Sequence, residues 1–237
     1  MKIYARKFQR VMEYIFGVMV KISSTLVLRK TKMVYLCNPN NPTGLVMNTN
    51  ELESFCKQIS KKAIVFVDEA YHEYVIDPKY KSMINLVKSG ENVIISRTAS
   101  KVHGLAGLRV GFAVSTPEII KRLEAYLTDS LNIVGLRAAI ASYQDQRFQK
   151  HSIAMNNKAK TIVTDYLDTK GVQYLDSQTN FIFIKTDIEI TELQPAMEKN
   201  GVLVGRPFPP FTNWCRLSLA KPEEMQKFNE AFEKVLG

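Results

Sequence analysis

Along this chain, short apolar runs alternate with stretches of helical spacing. Met33–Cys37 is apolar and closes into an Asn/Pro/Gly loop, Asn38–Gly44. Asn48 and Glu51 then have capping-box spacing, with Asn in the N-cap role. The helix behind them carries Leu52, Phe55, Cys56 and Ile59 on one face. Ala63–Val67, Val93–Ile95 and Val110–Val114 are further apolar strands, and Thr116-Pro117-Glu118 starts a helix with Pro at its first position. Apolar strands without clean alternation predict a sheet covered on both faces, hence an α/β fold with mostly parallel strands and flanking helices.

The texture changes near residue 145. A polar helix is predicted to run to Lys170-Gly171, followed by a strand at Phe181–Lys185 and a helix ending at Asn200-Gly201. Strands at Val202–Gly205 and near Cys215–Leu219 follow. Pro222 opens a last helix with Met225, Phe228, Phe232 and Val235 on one face. The expected organisation is a leader at 1–32, an α/β domain at 33–145 and a smaller C-terminal α+β domain at 146–237.

Charge changes one part of this picture. The 237 residues carry a formal net charge of +9, which by itself points to nucleic acid or an anionic membrane. The excess is local. Residues 1–32 hold eight Lys and Arg against Glu13 alone, while residues 33–237 hold 24 basic and 22 acidic residues. Nucleic acid therefore drops out as the expected partner. No apolar run reaches the roughly 18 residues of a membrane span, so no membrane partner is expected either. The leader has a basic start and a short apolar stretch, Tyr14 to Val20, without the cleavage pattern of a signal peptide. It reads as an arm rather than an address. Cys37, Cys56 and Cys215 are scattered, with no CxxC, and His72, His103 and His151 form no HxxxH pair. Reduced thiols, a cytoplasmic protein and no metal site are the expectation.

Four motifs stand beside the first-domain strands, where α/β proteins bind ligands. They are Asn38-Pro39-Asn40-Asn41-Pro42-Thr43-Gly44, Asp68-Glu69-Ala70-Tyr71, Thr98-Ala99-Ser100-Lys101 and Gly104-Leu105-Ala106-Gly107-Leu108-Arg109. Singly they are a turn, a carboxylate at a strand end, a lysine and a glycine-containing loop. Asn41, Asp68, Tyr71, Lys101 and Arg109, in this order and spacing, resemble fold-type I pyridoxal-phosphate aminotransferases, and most of all histidinol-phosphate aminotransferases. The resemblance runs from about residue 31 to the C-terminus.

The resemblance implies pyridoxal 5'-phosphate as cofactor and Lys101 as its Schiff-base lysine. A primary amine is the group that can do this and then carry the substrate's α-proton. It further implies that Asp68 pairs with the pyridinium nitrogen, that Asn41 and Tyr71 reach the ring's phenolate oxygen, and that Thr98, Ser100 and Arg109 hold the phosphate. Arg216, in Trp214-Cys215-Arg216-Leu217-Ser218, matches the arginine that grips the amino-acid carboxylate, for which a planar fork is suited. Arg206 is a candidate for a substrate phosphate or second carboxylate, with a structural loop role as the alternative. Asn180 matches a position near the substrate pocket. Glu69 reads as structural and His103 as a loop residue. The implied reaction is transamination with an amino donor and a 2-oxo acid, of the histidinol-phosphate/2-oxoglutarate type, in a homodimer where the full family fold is present.

The same resemblance implies a missing front. The family's N-terminal arm and first large-domain segment, with a glycine-rich phosphate turn, have no counterpart in residues 1–32, where Gly17 is the only glycine. The four first-domain strands would be the contiguous middle of a larger sheet, leaving open edges and apolar faces. The expectation is a truncated chain, and an inactive remnant stands as an alternative to an enzyme. A pyridoxal-phosphate enzyme with another amino-acid substrate is a second alternative. A Walker B reading of Ile64–Ala70 needs an upstream GxxxxGK[ST], which the sequence lacks. Finally, Ala220-Lys221 precedes Pro222-Glu223-Glu224 where the family often has Gly-Thr, so the last helix lacks a hydroxyl N-cap.

Overall fold

A computed structural model describes residues 31–127 and 131–236. The predicted leader, except for Thr31 and Lys32, lies outside the described residues. The chain divides into two compact units, one of residues 31–39 and Val46–Gln149, the other of Asn40–Leu45 with the chain from Lys150 onward.

The first unit is built on a four-stranded sheet of β1 (Met33–Cys37), β2 (Ile64–Asp68), β3 (Val93–Thr98) and β4 (Gly111–Val114), in that spatial order. The first three strands are parallel, and β4 is antiparallel to β3. This register sets Cys37 beside Asp68 and Asp68 beside Ser96. The site-bearing loops therefore leave neighbouring strands at the same end of the sheet. Helix α1 (Thr49–Ile59) is capped as its sequence predicts, Asn48 Oδ1 accepting from the N–H groups of Asn50 and Glu51. Its buried Leu52, Phe55, Cys56 and Ile59 pack with Val65, Val67, Val93 and Ile95.

The structure departs from prediction in four places here. The sheet is not evenly covered on both faces. Burial alternates along β2, and Met33, Tyr35 and Phe112 stay exposed, because the packed core forms on the face shared with α1 and α2 (Ile84–Lys88). Strand β3 runs on past Ile95 through polar Ser96-Arg97-Thr98, whose backbone is paired with β4. Val110 is left out of β4, its carbonyl accepting from the Ala99 N–H in a loop. Helix α3 (Pro117–Glu124) starts at Pro117, and α4 (Ile133–Gln144) is an additional helix whose Asn132 cap accepts from Gly135 N–H.

Helix α5 (Gln146–Lys170) begins in the first unit and continues into the second. The second unit pairs β5 (Phe181–Lys185) and β6 (Trp214–Ser218) antiparallel, with α6 (Ile190–Lys199) and α7 (Pro222–Leu236). Val163 and Leu167 of α5, Ile182 and Ile184 of β5, Leu193 of α6 and Phe228 and Phe232 of α7 share one core. The predicted strand at Val202–Gly205 is irregular backbone; Val202 and Val204 pack against this core as single side chains, without ladder pairing. Asn40–Leu45 joins this unit through the bond from Gln178 N–H to the Gly44 carbonyl, 2.8 Å. Gly44 has φ +74°, and a Cβ there would lie 2.1 Å from Ser177 Oγ, so glycine is required twice over.

Candidate active site

Asp68 ends β2, so its side chain stands where the strand hands over to a loop. Its Oδ1 accepts from the Ala70 N–H at 3.1 Å and the Ser96 hydroxyl at 3.1 Å. Its Oδ2 accepts from the Tyr35 hydroxyl at 2.6 Å. The next residue, Glu69, points elsewhere. It is 1 % exposed and accepts from Ser82 Oγ, the Met83 N–H and Arg97. Adjacent carboxylates thus part, one to a loop mouth and one to a buried ion pair, as the structural reading of Glu69 expects.

Lys101 follows β3 by three residues. Its Nζ lies over the face of Tyr71, 4.9 Å from the ring centroid, and forms no ion pair among the described residues. Tyr71 is buried directly ahead of a short 3₁₀ turn, His72–Tyr74. Between strand and lysine, Thr98 Oγ1 is 2.9 Å from Ser100 Oγ and accepts from the Ser100 N–H at 3.0 Å. That bond shapes the loop and aligns two hydroxyls. Arg109 adopts left-handed backbone, φ 54° and ψ 49°, and donates from Nη1 to the Ala106 carbonyl at 2.9 Å. A non-glycine residue held there carries strain of a kind that collects at binding sites. Asp68, Tyr71, Thr98, Ser100, Lys101 and Arg109 are all in the first unit.

His103 lies in the turn after Lys101, as its loop reading expects. It is buried, with Nδ1 2.9 Å from Ser142 Oγ, its ring 3.9 Å from that of Tyr143 and Nε2 4.0 Å from Glu73 Oε1. Burial lowers the His103 pKa and raises that of Glu73, so both are pushed toward their neutral forms.

The second unit holds the other candidates. Arg216 lies on β6 opposite Phe183 of β5. Its Nη1 donates to Asn41 Oδ1 at 2.9 Å, and its Cζ is 5.2 Å from the Phe181 ring centroid and 5.0 Å from that of Phe208. Its Nε is buried with no hydrogen-bond partner among the described residues. A buried donor without a partner is unusual and calls for an acceptor. Arg206 stacks on the same Phe208, 4.3 Å away, so two guanidinium groups share one aromatic ring. Asn180 sits before β5 and accepts from the Leu219 N–H through its backbone carbonyl. Among residues that the sequence did not single out, Tyr35, Ser96 and Phe208 contact site residues. Strand register identifies the first two, and no linear motif does.

Of the three thiols, Cys56 and Cys215 are buried, while Cys37 is half-buried and donates to the Pro39 carbonyl. Burial pushes Cys56 and Cys215 each up to about 12, which keeps them protonated. No His/Cys/Asp/Glu group that could hold a metal occurs among the described residues, and none of their helices is long and apolar enough to cross a membrane.

A carboxylate, a lysine and a hydroxyl-lined loop at the ends of adjacent strands, on this α/β sheet, define a protein of the fold-type I class. The chain belongs to the family of class I and II aminotransferases, whose family model matches residues 12–232. That match begins inside the segment read from sequence as a leader. Histidinol-phosphate aminotransferase 2 of Hydrogenovibrio crunogenus is 37% identical over 213 residues, covering 87% of this chain and 56% of that protein. Histidinol-phosphate aminotransferase of Brevibacillus brevis is 35% identical over 215 residues, covering 87% and 57%. The chain thus spans little more than half the length of these curated relatives. The structure of histidinol-phosphate aminotransferase from Sinorhizobium meliloti in complex with pyridoxal-5'-phosphate superposes with TM-score 0.77 at 26% identity, covering 86% of this chain and 57% of that one. Aspartate aminotransferase from Thermotoga maritima shares the fold, with TM-score 0.80 at 23% identity over 90% of this chain and 59% of that one.

Proposed function

We propose that this chain serves pyridoxal-phosphate-dependent transamination of the histidinol-phosphate/2-oxoglutarate type. The observation that carries the reading is the pairing of Lys101 with Asp68 at the ends of adjacent parallel strands, where, among the described residues, the lysine has no carboxylate partner and the carboxylate no basic one. The names of the relatives support the substrate type.

Bound pyridoxal phosphate supplies an aldehyde for an amine and a ring that accepts electron density. The chain's residues do the rest. Lys101 Nζ is the primary amine for that aldehyde and the group that moves a proton at the substrate's α-carbon. Asp68 offers a carboxylate oxygen to a protonated ring nitrogen, while Tyr71 and Asn41 donate to a phenolate oxygen. The Thr98 and Ser100 hydroxyls and the Arg109 guanidinium hold a phosphate. The Arg216 guanidinium, whose Nε has no partner among the described residues, takes a substrate carboxylate, Arg206 takes a second anionic group, and Asn180 lies near the substrate. Buried thiols at Cys56 and Cys215 support a cytoplasmic setting, and the family supports a homodimer.

The test is reduction of the purified chain with borohydride in the presence of pyridoxal phosphate, followed by peptide mapping. A phosphopyridoxyl group on Lys101, absent in Lys101→Ala, is expected. An unlabelled chain supports the second reading, an inactive remnant, which the exposed apolar side chains of Met33, Tyr35 and Phe112 favour.

A further inference from the structure

We propose that Tyr35 is a positioning residue for Asp68, fixing one carboxylate oxygen so that its remaining acceptor site serves a cationic ring nitrogen. The inference rests on the reading of function above and concerns a residue that no motif marks.

A carboxylate offers about four acceptor sites, two on each oxygen. In Asp68, Oδ1 is filled by the Ala70 N–H and the Ser96 hydroxyl, both at 3.1 Å. Oδ2 takes the Tyr35 hydroxyl at 2.6 Å. Among the described residues three donors therefore occupy three sites, and the fourth is on Oδ2. Every one of these donors is neutral, and Asp68 makes no ion pair among the described residues. The carboxylate is held in orientation without having its charge cancelled, as partnership with a cation requires.

The sheet explains why Tyr35 is the donor. Tyr35 pairs in register with Phe66 and Cys37 with Asp68, so by the period of two Tyr35, Phe66 and Asp68 share a face. The Tyr35 ring stacks on Phe66 at 5.6 Å and 21°, which aims its hydroxyl along the strand toward Asp68. A tyrosine hydroxyl ordinarily ionises only near pH 10, so the phenol remains a donor throughout the neutral range.

Tyr35→Phe keeps the stack and removes the donor. Binding of pyridoxal phosphate and of its 1-deaza analogue, in which CH replaces the ring nitrogen, is measured for the full chain and the variant by borohydride trapping at Lys101 across a concentration series. The expected result is a loss of about threefold to tenfold for pyridoxal phosphate, part of the roughly tenfold or more that a charge-assisted bond is worth, and a change below about twofold for the deaza analogue. Equal losses for both compounds show a merely structural tyrosine and overturn the proposal, as does no loss for either. Should Tyr35→Phe fail to fold, 3-fluorotyrosine incorporated at position 35 keeps ring and hydroxyl while altering donor strength, and the same selective response is required of it. A parent chain that binds neither compound overturns the functional reading itself, and the role of Tyr35 with it.

Discussion

At the scale of single residues, neighbours in sequence have opposite duties. Asp68 and Glu69 are adjacent carboxylates, yet one faces a loop mouth and the other is sealed against Arg97 at 2.8 Å. Glu69→Gln leaves Arg97 without its counter-charge. A loss of about 3 kcal/mol is expected, the low end for breaking a buried pair because Arg97 keeps some access to water. Urea unfolding reads it as a lower midpoint at unchanged m-value; an unchanged midpoint would mean that the pair is energetically idle. The candidate residues Asn41, Asp68, Tyr71, Lys101 and Arg109 stand out in sequence because their types and spacing form a pattern. Tyr35 and Ser96 were not, since each reaches Asp68 only through strand pairing. His103 lies in a loop as the sequence indicates, but nothing local marks Ser142 and Tyr143, about forty positions on, as its buried neighbours.

At the scale of elements, local chemistry predicted most starts and stops. Asn48, Pro117 and Pro222 open their helices where the sequence places them. The last helix shows how a cap is half kept. Its predicted hydroxyl cap is missing, but Glu224 Oε2 accepts from the Lys221 N–H at 3.2 Å, the reciprocal half of a capping box. Lys221→Ser supplies the other half, a hydroxyl to accept from the Glu224 N–H. A gain of about 0.5–1 kcal/mol is expected, seen as a rise in thermal midpoint of a few degrees. A fall would show that the Lys221 stem packs usefully. The strand predicted at Val202–Gly205 did not form because apolar residues record burial, not pairing.

At the scale of the molecule, ionisation links distant side chains to stability. The Tyr166 hydroxyl donates to Glu233 at 2.7 Å and the Tyr174 hydroxyl to Asp168 at 3.1 Å. Burial first, then these carboxylates, raises both tyrosine pKa values in the folded chain. The folded state then holds protons that the unfolded state releases above about pH 10. Their contribution is complete below that pH and is lost as pH rises through the folded values. Lys160, whose pKa burial lowers, works in the opposite sense. In urea titrations from pH 7 to 11, the double variant Tyr166→Phe, Tyr174→Phe is expected to lose less stability on the alkaline side than the parent. Parallel curves would remove these tyrosines from the alkaline transition.

The sequence by itself determined the α/β alternation, the helix ends, the motifs that hold the candidate site residues and the family they resemble. These follow from residue type at short range, where periodicity, capping and turn chemistry act. Only the tertiary structure decided that β4 runs antiparallel, that Asn40–Leu45 joins the C-terminal unit and that the sheet packs chiefly on one face. It alone showed that Tyr35 and Ser96 hydrogen-bond to Asp68 and that Arg216 keeps a buried N–H without a partner among the described residues. Each of these depends on which strand lies beside which and on where each buried polar atom finds its partner. Both are properties of distant residues brought together, which spacing along the chain does not encode.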